Sequence, residues 1–152
     1  MTDVALRRAA PGDLDAIVAL EAVGFAEGAW SAASVGGALA DPHGLSLVAI
    51  GEDGVLGVIL GQVLFERAEL LRVTVPPTLR RAGLGRRLLR SFAEACVAAG
   101  AEALWLEVRE SNTAARGLYE TEGFELSYRR RGYYGGGEDA LLYVRALGAP
   151  PG

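Results

Sequence analysis

The chain reads as one α/β domain, a sandwich of helices around a mixed β-sheet, and three observations predict it. Aliphatic and β-branched runs alternate with amphipathic helical runs, and from residue 45 the order is ββ, β, α, β, α, β, β. No repeat or linker interrupts the 152 residues apart from the Gly135-Gly136-Gly137 loop and the Gly-Ala-Pro-Pro-Gly tail. A composition of 51% hydrophobic and 22% charged residues is that of a globular domain long enough to bury a proper core. The domain is expected over 1–147, with 148–152 a flexible tail.

Val4 to Arg8 reads as a first strand. Asp13 is placed to cap a helix running to about Phe25, with Leu14, Ile17, Val18 and Leu20 as its apolar stripe. Ser31 caps a second, shorter helix. Leu45 to Ile50 and Val55 to Leu64 form a hairpin across Gly51-Glu52-Asp53-Gly54, where Asp-Gly supplies the left-handed positions of a tight turn. A strand over Ala68 to Val75 leads through Pro76-Pro77 into a helix from about Leu84 to Ala99. Ala103 to Val108 is a strand, Asn112 to Glu122 a helix, and Glu125 to Tyr133 with Ala140 to Ala146 a closing pair of strands.

The join between the strand ending at Val75 and the following helix carries Arg80, Gly83 and Gly85, with further arginines at 81, 86, 87 and 90. Glycines let the backbone approach a ligand closely, and the free N–H groups and dipole of the helix start favour an anion there. The turn therefore reads as a phosphate cradle. It is not the dinucleotide fingerprint, which needs a third glycine near Leu88, nor a nucleotide P-loop, which needs Gly-Lys-Ser/Thr in a chain that has no lysine.

Composition narrows the chemistry further. His43 is the only histidine and follows Asp41-Pro42 in a loop, and Cys96 is the only cysteine, on the apolar stripe with Leu88, Leu89 and Phe92. Neither a metal cluster nor a Ser-His or Cys-His pair can be assembled from them, and no Gly-x-Ser-x-Gly elbow is present. No metal is expected. The net charge of -4 divides unevenly: residues 1–70 hold ten acids and three arginines (-7), and residues 71–152 nine acids and twelve arginines (+3). One half is suited to attract a cation and the other an anion. With a pI near 5.1 and arginines gathered at one turn, nucleic acid is not an expected partner. There is no twenty-residue apolar run, and Met1 to Arg8 lacks the apolar core of a signal peptide. A cytoplasmic protein without membrane contact is expected.

The form Arg-x-x-Gly-x-Gly after a strand ending Val-x-Val-Pro resembles the acetyl-CoA-binding motif of the GNAT superfamily of N-acetyltransferases. The resemblance sharpens at Leu104-Trp-Leu-Glu-Val-Arg-Glu-Ser-Asn112, at Leu118-Tyr119-Glu-x-x-Gly123-Phe124, and at Arg130-Arg-Gly-Tyr-Tyr134 with Glu138-Asp139-Ala140. These segments are similar to the RimI branch, which acetylates the N-terminal alanine of a small-subunit ribosomal protein. The resemblance implies a mostly antiparallel mixed sheet flanked by helices on both faces. It also implies acetyl-CoA as co-substrate, held by Val73, Thr74, Val75, Arg80, Arg81, Ala82, Gly83, Leu84, Gly85, Arg86 and Asn112. The implied partner is the N-terminal peptide of a ribosomal protein, met by a monomer or weak dimer.

An amine must lose a proton before it attacks a thioester, and the departing thiolate benefits from gaining one. Glu107 shares a strand face with Trp105, whose bulk could desolvate the carboxylate and make it a better base. By position alone Glu107 equally reads as a surface glutamate and Tyr119 as a core aromatic. The resemblance assigns Glu107 as proton acceptor and Tyr119 as proton donor, and points to Trp30, Glu69, Arg109, Tyr133 and Tyr134 for the peptide, with acidic residues at the mouth suited to a basic tail. Thr74, Arg72 and Gly117 depart from the RimI pattern, which bears on peptide preference more than on the reaction. Another acceptor amine (a different protein N-terminus, a lysine side chain or a small molecule) is the alternative expectation, and a non-catalytic acetyl-CoA-binding module the third.

Overall fold

The computed structural model describes residues 4–25, 28–80 and 83–148. Its elements are β1 (Ala5–Arg8), α1 (Leu14–Gly24), α2 (Ala32–Ala40), β2 (Gly44–Gly51), β3 (Gly54–Leu64), β4 (Arg67–Thr74), α3 (Leu84–Ala98), β5 (Ala103–Arg109), α4 (Thr113–Thr121), β6 (Glu125–Arg130) and β7 (Ala140–Ala146). Seven strands form one sheet in the order β1-β2-β3-β4-β5-β7-β6. Only β4 and β5 run parallel, with α3 as their crossover. The expected mixed, mostly antiparallel sheet is present.

Alternation along β2 and β3 sends side chains to two cores, one on each face. Leu45, Leu47, Ala49 and Ile59 join Leu88, Leu89, Phe92 and Cys96 of α3 and Tyr119 of α4. Val48, Val58 and Leu60 join Ile17 and Leu20 of α1 and Val35 of α2. Helices therefore cover both faces. α1 and α2 lie over β2 and β3, and the same face of β4, β5 and β7 is left for a site.

Three local readings need correction. Asp13 does not cap α1 with its side chain. Its carboxylate accepts the Ala10 N–H at 2.8 Å and two bonds from Arg7 at 2.8 Å, closing the short turn before the helix. Asp53 does not adopt a left-handed conformation, and in the β2–β3 turn only Gly54 does, at φ 118°. β6 ends at Arg130, because Asp139 accepts the Gly132 N–H at 2.8 Å and turns the chain before Tyr133. Ser31 does cap α2, accepting the Ser34 N–H at 3.1 Å.

One irregularity matters for the site. Opposite β3, Arg72 faces Leu60 while Leu70 faces Gly61, so Leu71 is an extra residue in β4. A one-residue bulge reverses which side chains point to which face. Before it, Ala68 and Leu70 enter the α3 core and Glu69 faces the other way; after it, Val73 and Val75 enter that core while Arg72 and Thr74 turn toward α1. Gly61 is required here: a Cβ would overlap the Phe92 ring and lie 2.8 Å from the Glu69 carbonyl oxygen.

Candidate active site

The pairing of β4 with β5 covers Arg67–Leu70 and Ala103–Leu106 and then stops. Beyond Leu70 the two strands part, and the edge of β4 that faced β5 is left without a sheet partner. A cavity of about 960 Å³ occupies the gap. It reaches from the α1–α2 connection, across the open sheet face, to the start of α4.

Glu107 stands on that floor, its side chain one-third exposed. The Tyr134 hydroxyl donates to its Oε2 at 2.7 Å, and an Arg130 Nη1 lies 3.8 Å from its Oε1. Trp105 instead has the Arg67 guanidinium over its ring at 4.4 Å. The carboxylate is thus held by a donor and a cation rather than sealed against the indole. Tyr134 lies under the Arg109 guanidinium at 3.9 Å, and burial, then its bond to Glu107, push its phenol well above the ordinary tyrosine range.

Tyr119 reaches the cavity from α4. Asn112 caps that helix by accepting the Ala115 N–H at 3.2 Å, and this fixes the register that turns Tyr119 inward. The ring is 5% exposed and packs against Phe124 at 5.7 Å. Among the described residues its hydroxyl has no hydrogen-bond partner. Burial pushes the phenol up to about 12, opposed by the Arg72 charge, so it keeps its proton at neutral pH.

Of the residues expected to meet a peptide, Trp30, Glu69, Arg109 and Tyr134 line the cavity together with Glu107. Tyr133 stands outside it, exposed and edge-on to Tyr134 at 5.2 Å. The mouth is not acidic, since Arg67, Arg72, Arg109 and Arg130 line it against Glu69 and Glu107.

On the cofactor side, Val73 and Asn112 line the same cavity. Val73 and Thr74 pair with Ile59 and Val58 of β3, leaving only their far edge open, and the Thr74 hydroxyl donates to Glu21. Gly83 starts α3 in the left-handed conformation at φ 82° and offers no side-chain cap, so the first N–H groups of Leu84, Gly85 and Arg86 stay available. Among the described residues nothing crowds Gly85, where a Cβ would meet Leu118 and Val75 at ordinary distances of 3.8 and 3.9 Å. Arg80 donates to the Gly24 and Val75 carbonyls and Arg86 to Glu122 and Thr121, so these two brace the turn. What the cradle presents is backbone. Arg81 and Ala82 lie outside the described residues.

Residues 16–124 match the model of the acetyltransferase (GNAT) family. The chain belongs to this GNAT family. A bS18-alanine N-acetyltransferase of Salmonella typhimurium is 40% identical over 101 residues, 64% of this chain and 68% of that protein. A Bacillus subtilis protein provisionally named for the same activity is 33% identical over 143 residues, 93% of this chain and 94% of its own. The crystal structure of the Escherichia coli ribosomal-protein-S18-alanine N-acetyltransferase superposes with a TM-score of 0.89 at 28% identity, covering 99% of this chain and 97% of that one.

As a GNAT acetyltransferase the chain is an acyl-transfer enzyme, and members of the family use acetyl-CoA. Cys96 is fully buried in the α3 core, and burial pushes its thiol up to about 12, so it offers no acyl-carrying thiolate. His43 sits in a turn, its N–H donating to Asp41 Oδ1 at 2.8 Å. Among the described residues no cluster of metal-ligating side chains occurs, and no helix is long and apolar enough to cross a membrane.

Sequence reasoning missed Glu21. It is 0% exposed, yet it accepts the Trp30 N–H at 2.9 Å, the Arg72 guanidinium at 2.9 Å and the Thr74 hydroxyl. It is hidden in sequence because a lone carboxylate in an otherwise apolar helix reads as its solvent-facing residue, whereas the outward positions are held by Asp15, Ala16, Ala19, Ala22 and Val23. It also missed the role of Glu138-Asp139: Glu138 accepts both donors of Ser111, the residue before the α4 cap, and Asp139 pairs with Arg129 at 2.8 Å.

Proposed function

We propose that this enzyme transfers an acetyl group from acetyl-CoA to a protein N-terminus, with the N-terminal alanine of ribosomal protein bS18 as its acceptor. The observation that carries the reading is the parting of β4 and β5, which opens one cavity to Glu107, Tyr119 and an unpaired strand edge together. The bS18 acceptor is supported by the names of the Salmonella and Escherichia relatives.

Acetyl-CoA supplies an acetyl group activated as a thioester. The open edge of Val73, Thr74 and Val75 suits the amides of its pantetheine arm, and the free N–H groups at Leu84, Gly85 and Arg86 suit its pyrophosphate. Asn112, its Oδ1 committed to the helix cap, has its side-chain NH₂ to offer near the second helix start. Glu107 takes the proton of the incoming ammonium, directly or through a water, once Tyr134 yields its place on the carboxylate. The amine nitrogen forms the new bond to the acetyl carbon as the carbon–sulfur bond breaks, and Tyr119 gives its proton to the leaving sulfur. The second proton shed by the nitrogen returns through water to the Tyr119 phenolate, while the first leaves Glu107 to solvent. Transfer is direct, in a ternary complex, because no thiol is placed to carry the acetyl group.

The arginines of the mouth favour a second acceptor of the same class, a protein N-terminus with an acidic side chain close behind it. The test is thiol release from acetyl-CoA with three peptides: the bS18 N-terminus beginning with alanine, the same peptide with its amine blocked, and one with glutamate at positions two and three. Turnover of the first alone, lost in Glu107→Gln, is expected. Preference for the third would move the acceptor, and turnover of the blocked peptide would refute amine acetylation.

A further inference from the structure

The connection between α1 and α2 forms one wall of the cavity through Phe25, Gly28 and Trp30. Gly28 and Trp30 belong to no helix or strand. Among the described residues, the hydrogen bonds that tie these two to the rest of the domain run to one ion pair. The Trp30 N–H donates to Glu21 Oε1 at 2.9 Å, and the Arg72 Nη2 donates to the Gly28 carbonyl at 3.0 Å. The same guanidinium lies 3.8 Å over the Phe25 ring and 5.9 Å from that of Trp30. Arg72 reaches this place only because the Leu71 bulge turns it away from the α3 core.

We propose that the Glu21–Arg72 pair is a positioning device for the acceptor, fixing the wall made by Phe25, Gly28 and Trp30 and so setting affinity for the amine-bearing peptide and not for acetyl-CoA. The inference rests on the acetyl-transfer reading for its substrate, and on geometry alone for the clamp. Glu21 is wholly buried and the Arg72 side chain 19% exposed, so the pair is shielded from the solvent and salt that weaken surface pairs. Arg72 and Thr74 bring the same carboxylate to the end of β4 next to the gap. The wall is therefore registered to the strand against which the reaction is placed. The acetyl-CoA cradle follows the same strand end on its α3 side, and among the described residues Glu21 touches it by hydrogen bond only through the Thr74 hydroxyl.

The test compares the native chain with Glu21→Met/Arg72→Met, which removes both charges and leaves no unpaired ion inside, and with Arg72→Lys, which keeps the charge but loses the planar fork. A cooperative melt establishes that each variant is folded. Hydrogen exchange at the Trp30 amide reports the clamp without any turnover, and KM for each substrate reports its consequence. In the double variant we expect the Trp30 amide to exchange about tenfold faster or more, and the peptide KM to rise about tenfold while the acetyl-CoA KM stays within about twofold. Arg72→Lys is expected to recover most of the peptide KM. A folded double variant with native Trp30 exchange overturns the clamp, and one with faster exchange but a native peptide KM overturns its role in acceptor affinity. Should the native chain acetylate no peptide, the acceptor reading and its affinity role fall together, and Trp30 exchange still decides whether the pair holds the wall.

Discussion

Replacing Tyr119 by phenylalanine separates catalysis from folding more cleanly than any other change at this site. The ring is buried against Phe124, and phenylalanine keeps that contact. The lost hydroxyl has no hydrogen-bond partner among the described residues, so removing it orphans nothing there; the expected stability change is within about 1 kcal/mol. For a chain of this length that is a melting shift of about 2–4 °C at most. A general acid is worth about 10²- to 10⁴-fold in rate, or roughly 3–5 kcal/mol of barrier. Thiol release with the alanine peptide should therefore fall about a hundredfold or more while the melt hardly moves. The pH profile adds a second check. With the phenol pushed up to about 12, Tyr119 stays protonated across the working range and imposes no loss of rate between pH 8 and 10. A native profile that falls there, and ceases to fall in Tyr119→Phe, would show a phenol ionising far lower than its burial requires. Native-level turnover in the folded variant would refute the assignment of Tyr119 as proton donor.

Two further outcomes are expected. Gly61→Ala drives a methyl into the Phe92 ring beside the Glu69 carbonyl and should cost about 1–3 kcal/mol, with Phe92→Leu recovering part of it in a double-mutant cycle; additive costs would mean the two residues do not press on each other. Cys96 should resist thiol reagents at pH 8 until denaturant opens the α3 core, because its thiol is both buried and raised to about 12. For the same thiol the unfolded chain ionises first, near 9.0, so its contribution to stability is complete below pH 9 and drains away as pH rises toward 12. Rapid labelling of the native chain would contradict the packing of α3.

The alternation of apolar residues made the strands and α3 readable because both faces of the sheet are covered, so each strand had to satisfy a core. The places of Glu107 and Asn112 in the fold were readable as well, one at the end of a clearly periodic strand and the other at a helix start, while their roles were drawn from the resemblance and not from the pattern. The phase change in β4 was not. Strict alternation from Glu69 places residues 71, 73 and 75 on one face, and only the pairing of Leu60 with Arg72 reveals the extra residue. Glu21 was lost with it, since a wholly buried carboxylate needs partners that sit 51 and 53 positions away in the chain. The expected acidic mouth failed for a related reason. The acids of the first seventy residues are spent elsewhere, Asp13 on Arg7 and Glu21 on Arg72, while arginines from both halves converge on the cavity.

The bulge at Leu71 makes β4 behave like a text read in two frames. Upstream residues give their odd positions to the open floor, and downstream residues give their even positions to α1. A substitution alters one letter. Were the strand to alternate strictly at its present length, every letter after Leu70 would shift, turning Arg72 and Thr74 toward Leu88 and Phe92 and bringing Val73 and Val75 to the polar side. What this strand must preserve is the step at Leu71: an unbulged strand of the same length would exchange its two faces beyond Leu70, whereas one shorter by that residue would keep them.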